Sequence, residues 1–250
     1  MTDVLLKHRS IRKYKSDAIE TDLLHRILQA GIRASTTGNM QLYSIIVNRD
    51  PEMKEALAPL HFNQAAIRQA PVVMTFCADF NRFNTWCRLR KAEPGYDNFL
   101  SFFTAAIDAL LVAQNICVAA ESEGLGICYF GTTTYTADRI IEVLKLPKGV
   151  VPVTTITMGY PDEEPAQTDR LPLSAVVHRE VYKDYTEEAI TEFYGGKESD
   201  PVNRRFIEEN GKETLAQVFT DVRYTRKDNL AFSRVLLSVL EKQGFMNNFE

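Results

Sequence analysis

Apolar and polar positions along this chain follow two periods, and the switches between them mark its elements. Leu23, Leu24, Ile27, Leu28 and Ile32 recur at helical spacing behind Thr21, which predicts a capped helix to about Arg33. Asp3 to Lys7 is a short helix candidate ahead of it. The small polar run Ala34 to Gln41 breaks the pattern, and Tyr43 to Val47 reads as a strand. Pro51 to Leu60 predicts a helix, and Gln64 to Gln69 a helical turn ended by Pro71. Val72 to Ala78 is a near-continuous apolar run, which fits a strand covered on both faces. Asp79 to Asn98 is polar, aromatic and basic. At about twenty residues it is long for a passive connection and predicts a functional lid.

Phe102 to Glu123 is the longest helix candidate, apolar nearly all the way round and so buried on most sides. Gly124-Leu125-Gly126 ends it as a helix C-cap. It is no dinucleotide fingerprint, since it closes a helix where the fingerprint would open one. Ile127 to Phe130 predicts a short strand running into Gly131-Thr132-Thr133-Thr134. Thr136 is expected to cap a helix to Leu144, and Val150 to Gly159 is a β-branched strand closed by Tyr160-Pro161. Asp162 to Pro172 is a loop whose one basic residue is Arg170. Beyond Val181 the pattern turns helical and polar, with Gly195 to Pro201 a linker and Asn229 to Lys242 a last amphipathic helix. The order gives one mixed α/β layer with helices packed on it. We expect a core over residues 1–180 and a helical extension over 181–250. The extension is too polar and strand-poor to fold alone, and packs on the body or on a partner subunit.

Composition narrows the function. With 250 residues, 45% hydrophobic and 25% charged, the chain can bury a sizeable core. A net charge of -4 offers no overall basic field for nucleic acid. Asp108 and Gln114-Asn115 interrupt the most apolar stretch, so no membrane span is expected, and no signal segment follows Met1. The four cysteines show no CxxC spacing and the four histidines no HxxxH pair, so neither metal ligation nor a disulfide framework is expected. A reducing cytoplasm fits. No nucleophile elbow or Walker-type loop is present. On this acidic background His8-Arg9-Ser10-Ile11-Arg12-Lys13-Tyr14 stands out: it is either a solvated basic turn or a grip for one small anion such as a phosphate. Asp108 and Glu121 read as helix hydrogen bonders or surface charges rather than catalytic acids.

HRSIRKY at 8–14, ASTTGNMQ at 34–41, QAPVVMTFCADFNR at 69–82 and AAIDALLVAQNICVAAESEGLG at 105–126 come in a recognisable order. YFG at 129–131, GYP at 159–161, RLP at 170–172 and SRVLLSVLEKQGF at 233–245 continue the series. Together they cover nearly the whole chain and resemble the FMN-dependent nitroreductases, above all the larger NADPH-preferring group of oxygen-insensitive nitroreductases and flavin reductases. The resemblance implies an α+β nitroreductase-like fold with a central mixed, mainly antiparallel sheet flanked by helices. It implies a homodimer built on the long helix, a C-terminal segment wrapping the partner, and FMN at the subunit interface.

By resemblance, His8, Arg9, Ser10 and Arg170 take the FMN phosphate and Arg12 the N1/O2 edge of the ring, where a cation favours the reduced flavin. Gln64 takes the pyrimidine side. Ser35, Thr36, Thr37, Asn39 and Gln41 reach the cofactor of the other subunit, and Tyr129, Phe130 and Gly131 lie along the ring. Taken alone, Ser35 to Gln41 is an ordinary helix-to-strand loop, and Tyr129 and Phe130 are core strand residues. Arg234, on a face usually solvated, is a substrate or nicotinamide contact in the resembled group. Lys197, Arg204 and Arg205 either meet NADPH or keep a linker solvated. Thr168 stands where the group often has a lysine, a loss of about 1–3 kcal/mol if that bond is charge-assisted and buried.

The implied activity passes hydride from NADPH or NADH through FMN to a nitroaromatic, quinone or other flat aromatic acceptor by ping-pong turnover, with no catalytic side chain required. Alternatives are a reductase of free flavin and an FMN-binding redox module without turnover. The aromatics from Phe80 to Phe103 are expected to line the acceptor slot.

Overall fold

The computed structural model describes residues 2–248 and forms two compact units. The first runs through Ala166 and resumes at Phe232; the second is Gln167–Ala231. In the first lie α1 (Thr2–Leu6), α2 (Thr21–Gly31), β1 (Tyr43–Asn48), α3 (Pro51–Leu57), α4 (Ala65–Gln69) and β2 (Val72–Asp79). They are followed by α5 (Asn81–Leu89), α6 (Phe99–Ser122), β3 (Gly126–Phe130), α7 (Ala137–Leu144) and β4 (Val150–Gly159). The second unit holds α8 (Glu187–Ser199), α9 (Pro201–Glu209) and a short α10 (Leu215–Gln217). The last helix, α11 (Arg226–Gln243), begins in the second unit and ends in the first.

Among the described residues the strands form one sheet in the order β1-β2-β4-β3, each neighbour antiparallel. The parallel element is a single bridge between Ser10 and Ile127. Side chains alternate across this sheet with period two. Met74, Phe76, Ile127, Ile156 and Met158 meet Ile116, Val112 and Ile27 from α6 and α2. Val73, Cys128 and Phe130 face Leu57, Ile67 and Ile140 from α3, α4 and α7. β2 is therefore buried along its whole length, the condition its unbroken apolar sequence predicts.

α6 is fixed at both ends by its sequence. Asn98 caps it by accepting from the Ser101 N–H at 3.0 Å. Gly124, at φ +78, closes it: its N–H donates to the Glu121 carbonyl, and that of Leu125 donates to Ala120. By length and composition α6 could cross a membrane, but half of its apolar window is buried inside the protein.

Four expectations are corrected. Thr21 does not cap α2; it is the helix's first residue, Glu20 stands at the cap position, and no side chain bonds that end. Asp79 to Asn98 is not one long loop, because Asp79 accepts from the Arg82 N–H at 3.2 Å and starts α5, on which Phe83 and Cys87 share a face. Gly195 to Pro201 is not a linker. α8 continues through both glycines to Ser199, and Asp200 caps the next helix at once by accepting from the N–H groups of Val202 and Asn203. Thr136 precedes α7 but does not cap it; its hydroxyl donates to the carbonyls of Leu60 and Thr132 at 2.8 and 3.3 Å.

Candidate functional site

The basic cluster is zipped to the sheet. The Ile11 N–H donates to the Ile127 carbonyl at 2.9 Å, so residues 10 and 11 lie along β3. A Cβ on Gly126 would meet Ile11 at 2.6 Å, which is why glycine stands there. The buried Tyr14 hydroxyl donates to the Ile11 carbonyl and bonds the Thr157 hydroxyl at 2.7 Å, and burial raises its pKa. Held this way, the cluster lies along the start of β3, whose last residues Tyr129 and Phe130 lead into Gly131.

Its cations have acidic neighbours. The His8 ring bonds Glu121 at 2.6 Å, and the Arg9 guanidinium donates to Glu164 at 2.9 Å. Glu163 accepts from the backbone N–H groups of Arg12 and Lys13 at 2.5 and 3.0 Å. The Arg12 side chain is exposed and faces the Cys128 thiol, whose pKa burial raises while Arg12 opposes the rise. Arg9 Nε is buried with no hydrogen-bond partner. It is a donor that the protein's own groups leave unpaired, as an anion grip requires.

At the far end of β3, Gly131 is exposed, and a Cβ built on it would meet nothing within 4 Å. Open space on the face of a glycine suits a flat ligand laid against the backbone. Gln64 is exposed at the start of α4 and makes no capping bond, so its amide is available to a ligand. Tyr129 is half-buried with its hydroxyl on Gln114 at 3.3 Å, and Phe130 is buried in the core.

The polar loop is pinned by a group that sequence reasoning treats as incidental. Asp108, buried in the middle of α6, accepts from the Thr37 N–H at 3.0 Å, the Thr37 hydroxyl at 3.2 Å and the Leu42 N–H at 3.2 Å. Arg82 holds the carbonyls of Gln41 and Tyr43. The Thr36 hydroxyl accepts from the Gln41 N–H, and the Gln41 amide bonds Asn39. Ser35 is exposed at the loop's start. Asp108 carries a visible signal, a lone acid inside an apolar helix, but its partners lie 66 and 71 residues away.

Behind Gly131 sits another silent contributor. His61 is fully buried, with Nδ1 on the Thr132 hydroxyl at 2.8 Å and Nε2 unpartnered. Burial pushes its pKa down to about 4, so the ring is neutral at pH 7. It ties the turn before Gln64 to the turn after Gly131.

The remaining candidates belong to the second unit or to α11. Arg170 donates to the carbonyls of Thr168 and Asp169 at 3.3 and 2.9 Å. Lys197 pairs with Asp169 at 2.8 Å and Arg205 with Glu209 at 2.6 Å. Arg204 and Arg234 are exposed. Among the described residues no group of three or more His, Cys, Asp or Glu side chains is placed to hold a metal ion.

Comparison with known proteins agrees with this architecture. The model of the nitroreductase family matches residues 5–160. An FMN reductase [NAD(P)H] of Bacillus subtilis is 34% identical over 244 residues, covering 96% of each chain. An oxygen-insensitive NADPH nitroreductase of Salmonella typhimurium is 32% identical over 245 residues, covering 97% of each. A crystal structure of a Bacteroides fragilis protein, 57% identical, superposes with a TM-score of 0.97 over 98% of this chain and 100% of that one. A match over most of the sheet and its helices, joined to relatives of equal length, makes this chain a member of the nitroreductase family.

Proposed function

We propose that this protein is an FMN-dependent oxidoreductase that draws electrons from NADPH or NADH and delivers them to flat aromatic acceptors such as nitroarenes and quinones. The observation that carries the reading is the zipping of the basic cluster onto β3. It sets an unpaired buried arginine nitrogen beside the start of β3, the strand whose far end leads into the open glycine face of Gly131.

The chain's groups divide the work by chemistry. His8, Arg9 and Ser10 hold the FMN phosphate, with Glu121 and Glu164 orienting the first two. Arg12 would take the N1/O2 edge and Gln64 the pyrimidine side, while the backbone of Tyr129, Phe130 and Gly131 would support the ring. Bound FMN supplies the two-electron chemistry, so no side chain need act as nucleophile or strong base. Asp108 keeps Ser35, Thr36, Thr37, Asn39 and Gln41 presented as one preformed loop toward the cofactor of a partner subunit. Lys197, Arg204, Arg205 and Arg234 meet the donor or acceptor.

A homodimer is supported by the outer face of α6. Leu100, Phe103, Ile107, Leu110 and Leu111 are between 42% and 70% exposed there, an apolar stripe that a second copy would cover. Four unpaired, buried cysteines support a cytoplasmic setting. Free flavin is a second acceptor, favoured by likeness to the B. subtilis FMN reductase.

The test is spectroscopic and kinetic. Purified protein carries or takes up FMN and turns yellow, NADPH bleaches it in stopped flow, and a quinone restores it. Initial rates give parallel double-reciprocal lines. Colourless protein that refuses FMN in a titration, or intersecting lines, overturns the reading.

A further inference from the structure

The chain places a phenylalanine where its backbone favours glycine. Phe62 ends the 3-10 turn Ala58–His61 at φ +56, with its N–H on Pro59 and that of Asn63 on Ala58. Left-handed backbone disfavours any residue with a Cβ, above all a bulky one, unless its side chain serves a purpose. The Phe62 ring is not there for the core, since it is 52% exposed.

Its neighbours are rings. Tyr135 and Phe232 stack face to face, 4.1 Å apart and 7° from parallel, and Phe62 lies 6.4 and 6.3 Å from them. Each ring comes from a segment that carries a proposed ligand contact. Gln64 follows Phe62 by two residues, Gly131 precedes Tyr135 by four, and Arg234 follows Phe232 by two. Of the aromatics from Phe80 to Phe103, Phe80 and Phe102 are core residues and Phe83 and Tyr96 pack against Phe80, while Trp86, Phe99 and Phe103 are exposed.

We propose that Phe62, Tyr135 and Phe232 form one wall of the acceptor slot and set its preference for acceptors with a π face over those without one. This rests on the flavin reading above. The wall takes no part in the electron count. A quinone takes two electrons and two protons, a hydride's worth from one NADPH and one proton from solvent, and leaves as its hydroquinone; two ferricyanides take one electron each per NADPH oxidised and leave as two ferrocyanides, with one proton released. Only the quinone has a flat face for the rings to hold.

The experiment uses FMN-loaded wild type, Phe62→Leu, Tyr135→Leu and the double variant, which keep apolar bulk and remove π faces. Menadione binding is titrated by flavin absorbance on the oxidised protein without NADPH, and kcat/KM is measured for menadione and for ferricyanide. Loss of aromatic stacking weakens menadione binding about five- to tenfold in the double variant, and the menadione-to-ferricyanide ratio of kcat/KM falls by a similar factor. Equal falls for both acceptors, or unchanged menadione binding in FMN-loaded variants, overturn the wall alone. Wild type that takes up no FMN overturns the flavin reading and the wall with it.

Discussion

Phe80 and Phe62 head two aromatic groups that the first unit treats in opposite ways. Phe80 is 1% exposed, stacked on Tyr96 at 5.0 Å and edge-on to Phe83 and Phe245, and Phe102 closes the group from α6. Phe62 stands half in solvent on a backbone that favours glycine. The first group joins helices to the sheet and serves folding. The second spends conformational energy to hold rings at the surface, which is how binding sites are built on a stable frame.

The sharpest way to separate them is to remove the inner ring. Phe80→Ala leaves a cavity between β2, α6 and the end of α11, and costs about 3–5 kcal/mol. Guanidinium unfolding of the holo protein reads that loss directly. A cost under 1 kcal/mol would mean the inner group is no more structural than the outer one.

His61 lies where the two regions join, with its ring edge-on to Phe130 at 5.5 Å and the exposed Phe62 next in sequence. Its pKa falls from 6.5 to about 4 on burial. In that window the unfolded chain binds a proton that the native state refuses, so stability rises with pH and is lost as pH falls from 6.5 towards 4. The loss amounts to about 3 kcal/mol across the window. His61→Gln keeps a partner for Thr132 and removes the titration. Its stability therefore falls less than that of wild type between pH 6.5 and 4. Identical pH slopes would place His61 in contact with water rather than in the interior.

Much of this fold is legible in the chain. Val150 to Gly159 reads as a strand to the residue because a β-branched run is bounded by Gly149 and Pro161. The α6 terminus is legible because Gly124 marks it. Missed elements are those where a local capping interaction outweighs composition: Asp79 starting α5 and Asp200 ending a supposed linker. The candidate site is half legible. Its basic residues stand out by type, but the acids that orient them do not, since Glu121, Glu163 and Glu164 come from 113 to 155 residues away. No local pattern encodes such a pairing. Phe62 is hidden for another reason, because a phenylalanine in sequence reads as core, and only its φ and exposure mark it as something else.

The smallest expected effect is the most telling. Phe62→Gly removes the strain of a bulky residue in left-handed backbone, a gain of about 1 kcal/mol. It also gives up half-exposed ring contacts worth about 0.5–1.5 kcal/mol. The two nearly cancel, so the variant's stability stays within about 1 kcal/mol of wild type and its Tm moves by no more than a few degrees. Menadione binding nevertheless weakens as it does in Phe62→Leu, because the π face is gone in both. A ring that can be deleted without cost to the fold, yet not without cost to an aromatic ligand, is present for the ligand. Should Phe62→Gly instead lose as much stability as Phe80→Ala, both groups are structural and the contrast between them disappears.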